Sequence, residues 1–310
     1  MISVLGAGVA GLCAATALRA RGLAVEVIAP EGLPAASLLA GGMLAPFCEG
    51  DGAPASVLAE GQAALAWWQA RVQSYVGRGT LVVAPARDAA EMVRFARATT
   101  GHIAVDPAAY EPDLAGRFAS GLFFAGEAHL DPVDALADLR AGLRAAGVRL
   151  HGGAPAGRIV DCRGYGARDR LPDLRAVRGE MLEVLAPDVA LSRPIRLLHP
   201  RFACYIVPRG AGRYMIGATM VESARQGPIT ARAVMELLSA AYTVHPAFAE
   251  AEVIATGAGL RPAFADNTPA LRAEGGRLHL NGMYRHGFLM APILAERLAE
   301  RLCKEMAHAH

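Results

Sequence analysis

The chain has 310 residues, is 53% hydrophobic and carries 34 glycines, which suits one large or two interleaved domains around a substantial core. Its 31 basic and 29 acidic residues leave a formal charge of +2 with no basic stripe, which argues against a nucleic-acid partner. No apolar run approaches membrane-spanning length, and the five scattered cysteines (Cys13, Cys48, Cys162, Cys204, Cys303) form no C-x-x-C pair, so reduced, cytoplasmic usage without a disulfide framework or zinc site is expected.

The chain enters an apolar strand at once, with no basic leader, so no signal peptide is expected. Residues 2–5 run into Gly6-x-Gly8-x-x-Gly11, a small-residue helix follows over 12–21 and stops at Gly22, and a second strand covers 25–29. One glycine makes a tight turn, one lets backbone approach a diphosphate, and one lets helix and strand pack closely. The anion would sit on the helix N-terminus, at Gly8, Val9 and Ala10. The second strand of such a fold normally ends in an acid that holds the adenosine ribose. Here it ends in Ala29-Pro30, with Glu31 the first carboxylate, so weaker binding at that end is expected.

The next stretch runs from Pro34 through Ala36, Ser37, Gly41, Gly42 and Met43 to Pro46. It reads either as a small-residue loop or as backbone laid against a flat aromatic ligand, with Ser37 donating to a phosphate and Met43 as a soft wall. Together with the glycine-rich turn, this A-S-x-x-x-G-G-M-L-A-P segment resembles the D-amino-acid oxidase superfamily of flavoproteins, and especially its glycine oxidase branch.

A helix is predicted over 54–76 with Leu58, Leu65, Trp68 and Val72 on one face, and the adjacent Trp67 and Trp68 read as packing residues. A strand over 79–86 and a helix over 88–99 form an excursion from the nucleotide domain. His129 reads as a loop residue, Asp131 as an N-cap followed by Pro132, and Leu136, Leu139 and Leu143 as the apolar stripe of a helix that ends at Gly147. A strand follows over 148–150. Residues 161–167 read as a strand end turning through Gly164, with Cys162 a buried small hydrophobe. The resemblance places this turn beside the adenine and pyrophosphate half of a flavin cofactor.

From Arg178 strands succeed one another over 180–185, 195–198, 203–207 and 213–219, the last two flanking a hairpin at 209–212. Strands without intervening helices imply a mainly antiparallel sheet. A helix covers 230–242. Gly257 and Gly259 bracket the approach to Arg261, a strand covers 278–281, and Gly282-Met283-Tyr284-Arg285-His286-Gly287-Phe288-Leu289 is a loop that opens a final helix. On that helix Leu294, Leu298 and Leu302 face the core, while Glu300 and Lys304 pair outside. Two glycine-rich helix N-termini so far apart favour a long cofactor held at both ends, FAD over NAD. The terminal 307–310 segment reads as a frayed end.

This last block strongly resembles the C-terminal motif of glycine oxidases, and motifs in the same order run from end to end of the chain. The resemblance implies noncovalent FAD, a small amino-acid substrate and O2, with hydride transfer from Cα to flavin N5, peroxide as co-product and a role in thiazole formation for thiamine synthesis. It assigns Arg261 to the substrate carboxylate, Tyr205 as its tyrosine partner, Arg285 to the neighbourhood of substrate and flavin, and Met220 to the pocket lining. A guanidinium suits the first role because it grips a carboxylate by two parallel bonds. Ala203, Met283 and His286 depart from the family pattern near the substrate and could alter the accepted side chain.

The expected fold is α/β, a Rossmann-like FAD-binding domain (1–77, 127–178 and 254–310) interleaved with an antiparallel-sheet substrate domain (78–126 and 179–253). Alternatives are a D-amino-acid oxidase or dehydrogenase of other specificity, a nicotinamide-dependent dehydrogenase, and a non-catalytic flavin-binding protein. A homo-oligomer is left open.

Overall fold

The computed structural model describes residues 1–29, 35–199 and 204–308; the expectations placed on Pro30, Glu31, Pro34, Ala203, Ala309 and His310 lie outside the described residues. The chain opens as β1 (Ile2–Leu5), α1 (Val9–Ala20) and β2 (Val25–Ile28), with β1 and β2 parallel and Ile2 opposite Val25. β3 (Met43–Leu44) and α2 (Ala55–Gln69) follow. The helix ends seven residues before the predicted boundary at 76, and the side it buries carries Val57, Gly61, Ala64, Trp67 and Trp68, with Leu58 and Leu65 only half-buried. Gly61 gives this side a close approach to its neighbours: a Cβ there would lie 3.3 Å from the Pro46 Cβ and 3.5 Å from Leu289 of the C-terminal helix.

Then come β4 (Thr80–Val83), α3 (Ala89–Ala98), β5 (Ile103–Val105), β6 (Gly121–Phe124), β7 (Ala128–His129), α4 (Pro132–Ala145), β8 (Arg149–His151) and β9 (Arg158–Asp161). His129 is a buried strand residue opposite Met43, correcting the loop reading; the pairing of two short segments 86 residues apart has no local signal. Asp131 caps α4 by accepting from the Val133 N–H at 2.9 Å. The second half holds β10 (Arg175–Leu185), β11 (Ile195–Leu197), β12 (Cys204–Pro208), β13 (Arg213–Gly217), β14 (Val221–Glu222), α5 (Ala231–Val244), β15 (Glu252–Ala263), β16 (Ala270–Glu274), β17 (Arg277–Asn281) and α6 (Gly287–Ala307).

Two sheets carry the molecule. The first has strand order β16-β17-β9-β1-β2-β8 and is parallel apart from the β16–β17 hairpin. Helices α1, α2, α4 and α6 pack with it in one large apolar cluster, which explains why β1 and β2 are buried on both faces. Glu26, the acid within β2, is consumed by this core: it accepts from Ser3 Oγ at 2.7 Å and pairs with Arg149 at 2.9 Å. The second sheet runs β14-β10-β13-β12-β11-β4-β6-β5, with β15 along β10, and covers its own core against α5. All its pairings are antiparallel except β11 with β4. β15 is a twelve-residue strand where the sequence suggests only a glycine-bracketed arginine, and it lies wholly in this second sheet although the boundary at 254 assigns most of it to the first.

Candidate active site

The opening turn forms an anion cradle. Gly6 has φ 100°, and a Cβ on it would sit 2.7 Å from the Cys162 carbonyl oxygen; one on Gly11 would lie 1.8 Å from the Gly6 oxygen. Only glycine therefore lets β1, α1 and the end of β9 converge. Gly8 caps α1 with no side-chain bond and the first turn carries no acid, which leaves its positive end suited to a phosphate. The Val9 N–H donates to Ser37 Oγ at 3.1 Å, fixing the second loop against the turn beside Ala10. Gly164 (φ 60°) carries the β9 turn past the same place, and its carbonyl accepts from Asn281 Nδ2 at 2.9 Å. Ala29 ends β2 with its N–H on the His151 carbonyl at 2.9 Å, and its methyl presents no acceptor to a ribose.

Arg140, which the sequence reading missed, donates from α4 to the Ala7 carbonyl at 2.9 Å and brings a cation to this turn. Helical periodicity reports which face Arg140 occupies, not which loop that face meets.

A cleft, partly open to solvent, runs from Val9 and Ser37 to the start of α6. Ala36, Gly41, Gly42 and Met43 line one wall. Gly42 (φ 68°) passes so close to Leu130 that a Cβ would come within 2.2 Å of its carbonyl oxygen. The buried Arg209 side chain pins this wall by donating to the carbonyls of Leu130 (2.6 Å), Ala40 (3.0 Å) and Gly41 (3.1 Å), a role hidden in what reads as a hairpin loop.

Met283, Tyr284, Arg285, Gly287, Phe288 and Leu289 line the opposite wall. Tyr284 takes φ 45° and donates its N–H to the Pro262 carbonyl at 2.8 Å, which ties this loop to the strand bearing Arg261. Trp68 Nε1 donates to the Phe288 carbonyl at 2.7 Å and anchors the start of α6. His286 is the N-cap of α6 and lies behind the wall, buried, with Nδ1 3.6 Å from Glu49 Oε2; burial lowers its pKa against the pull of Glu49.

The charged groups of the cleft divide unequally. Glu49, which no sequence motif singled out, lines it and accepts from Arg285 Nη2 at 2.6 Å and from the Tyr205 hydroxyl at 2.9 Å. Burial pushes the Glu49 carboxyl up, but Arg285, His286 and Arg196 outweigh it and hold the pKa at about 2. Arg261 Nη1 donates to the Thr219 carbonyl at 3.0 Å, and among the described residues no carboxylate pairs with it. Burial, reinforced by Arg285, lowers its pKa to about 10, the mark of a cation short of an anion. Met220 stands at the rim, with Sδ 3.4 Å from the Tyr284 hydroxyl and 3.9 Å from Arg285 Nη1.

The structure thus brings fifteen of the expected site residues to one cleft and its cradle to the cleft's end. An anion cradle, a cleft walled by small residues and by the loop before α6, and the Arg261 guanidinium without a carboxylate partner among the described residues fit a dinucleotide with a planar ring beside a small carboxylate. The chain matches the model of the DAO family, "FAD dependent oxidoreductase", over residues 1–301. It is 54% identical over 316 residues to a Rhizobium etli protein described as "Putative thiamine biosynthesis oxidoreductase ThiO", covering 98% of this chain and 97% of that one. The crystal structure of glycine oxidase from Geobacillus kaustophilus matches with TM-score 0.82 at 25% identity, over 97% of this chain and 94% of that chain. Iminodiacetate oxidase from Chelativorans sp. BNC1 shares the fold, with TM-score 0.83 at 22% identity over 98% and 95%. The chain belongs to the FAD dependent oxidoreductase family.

Proposed function

We propose that this enzyme oxidises glycine or another small amino acid, with O2 as electron acceptor and hydrogen peroxide as co-product, and that it serves thiamine biosynthesis in the cytoplasm. The single observation that carries this reading is the unpaired Arg261 guanidinium on the wall of the cleft. The 54% identical Rhizobium etli relative and the glycine oxidase structure support the substrate class.

Bound FAD supplies a two-electron acceptor; the chain supplies position. In this reading Gly6, Gly8, Val9, Ala10 and Gly11 receive the diphosphate, with Ser37 and Gly164 beside it. Residues 36–43 and 283–289 enclose the ring system. Arg261 clamps the substrate carboxylate through two parallel bonds and so fixes Cα. Tyr205 and Arg285, held through Glu49, frame the far side, and Met220 closes the rim. The N-terminus of α6, without an acid in its first turn, favours negative charge at the nearby cofactor edge. Segments 1–77, 127–178 and 264–310 would then serve the cofactor, with β15 moved to the substrate half.

A second reading, D-amino-acid oxidation with another side-chain preference, is favoured by the departure at Met283, which lines the cleft. Anaerobic flavin bleaching separates the two. Bleaching by glycine and not by D-alanine supports the first; the reverse supports the second; a purified protein without flavin absorbance overturns both.

A further inference from the structure

The cleft holds two guanidinium groups and one carboxylate, and they are not arranged symmetrically. Arg285 pairs with Glu49 at 2.6 Å and also approaches the Met220 sulfur at 3.9 Å. Glu49 is itself fixed from a second direction by the Tyr205 hydroxyl at 2.9 Å. Arg261 has a neutral carbonyl partner at Thr219. Among the residues lining the cleft, Arg261 is therefore the positive charge without a carboxylate partner, while Glu49 and Arg285 form a pair in which each already engages the other.

We infer that Glu49 is a specificity-determining residue that restricts this site to substrates with a single carboxylate. The inference rests on the amino-acid oxidase reading of the cleft. A monocarboxylate amine can pair with Arg261 and leave the Glu49–Arg285 pair intact. A dicarboxylate amine such as iminodiacetate would bring its second carboxylate towards a guanidinium already occupied by Glu49. It would then have to face a like charge or break the pair, either of which opposes binding. Specificity against the dicarboxylate thus comes from a repulsive group built into the wall. Glu49 sits in the turn at Cys48–Gly50, and swinging away would cost it the bonds to both Tyr205 and Arg285.

The test uses the flavin-loaded protein and two non-reacting ligands that share an ether-linked carboxymethyl group, methoxyacetate (one carboxylate) and diglycolate (which adds a second), titrated by the change in flavin absorbance. The wild type should bind methoxyacetate more tightly by about tenfold or more. Glu49→Gln keeps the shape and a hydrogen-bond acceptor for Arg285 but removes the charge. It should narrow that ratio by about tenfold or reverse it, and should raise kcat/KM for iminodiacetate relative to glycine. A wild type that binds both ligands equally overturns the inference without any variant. A ratio unchanged in Glu49→Gln, with glycine still bleaching the flavin, overturns it while leaving the oxidase reading intact. If neither ligand perturbs the flavin and glycine fails to bleach it, both fall together.

Discussion

The Arg261 guanidinium lies directly over Gly179: a Cβ built on that glycine would come within 2.3 Å of Cζ. The two residues sit on paired strands, with Gly179 opposite Gly259 and Arg261 opposite Val177. A side chain at 179 would displace the guanidinium by moving its flexible end and leave the strand pair in place. Gly179→Ala should therefore reproduce much of the defect of Arg261→Ala. Both should bind FAD normally and lose catalytic efficiency towards glycine by at least about tenfold, since charged hydrogen bonds contribute roughly 1.5–3 kcal/mol. Arg261→Lys restores charge without the fork and should stay impaired. Steady-state kinetics with a flavin spectrum of each variant checks this, and near wild-type turnover in Gly179→Ala would show that the arginine's position is immaterial.

The depressed pKa of Arg261 predicts a pH limit on ligand binding. The cation that attracts a carboxylate is present below about pH 10 and is lost as pH rises through that value. Affinity for methoxyacetate should hold between pH 7 and 9 and weaken above pH 10, a trend readable by flavin titration in the pH range where the fold persists. A free arginine would show no such decline.

At the other end of the cofactor, Arg140 and Ala29 set opposite expectations. Arg140→Met keeps the aliphatic stem and removes the cation beside the Ala7 carbonyl, so the FAD dissociation constant should rise by about tenfold. Ala29→Glu supplies the acceptor that the end of β2 lacks and should tighten FAD if a ribose contact is what is missing. Titration of the two apoproteins with FAD distinguishes these effects; an unchanged constant in Arg140→Met would place the guanidinium outside the cofactor's field.

A stability prediction comes from Glu127, a buried acid whose Oε1 accepts from the Cys48 N–H at 2.6 Å. Burial raises its pKa from the ordinary 4.5 to about 8. The folded state keeps the proton up to that pH while the unfolded chain releases it from about 4.5, so the stability is complete below 4.5 and is lost as pH rises through about 8. Glu127→Gln preserves the acceptor and cannot ionise. Its advantage over wild type should grow across that window to at most about 4 kcal/mol. Urea unfolding at pH 5 and pH 8 reads the difference, and an equal offset at both would contradict it.

By itself the sequence determined the dinucleotide turn, the alternation of strands and helices at both ends of the chain and the antiparallel run between them. These are local properties. A glycine with φ 100° at position 6, an Asp–Pro cap at 131 and a Leu stripe along the last helix act through neighbours a few residues away. The motif residues of the cleft were legible for the same reason, since each sits in a short glycine-marked segment. Only the tertiary structure decided how those segments use charge. Glu49 meets Arg285 across 236 residues and Tyr205 across 156, Arg140 reaches Ala7 across 133, and Arg209 reaches Ala40 across 169. The sheet assignment of β15 and the buried pairing of His129 with Met43 have the same origin. An ion pair depends on where two side chains end in space, and no periodicity along the chain encodes that distance; that Arg261 lines the cleft without a carboxylate partner among the described residues emerges only when the charges around it have been placed.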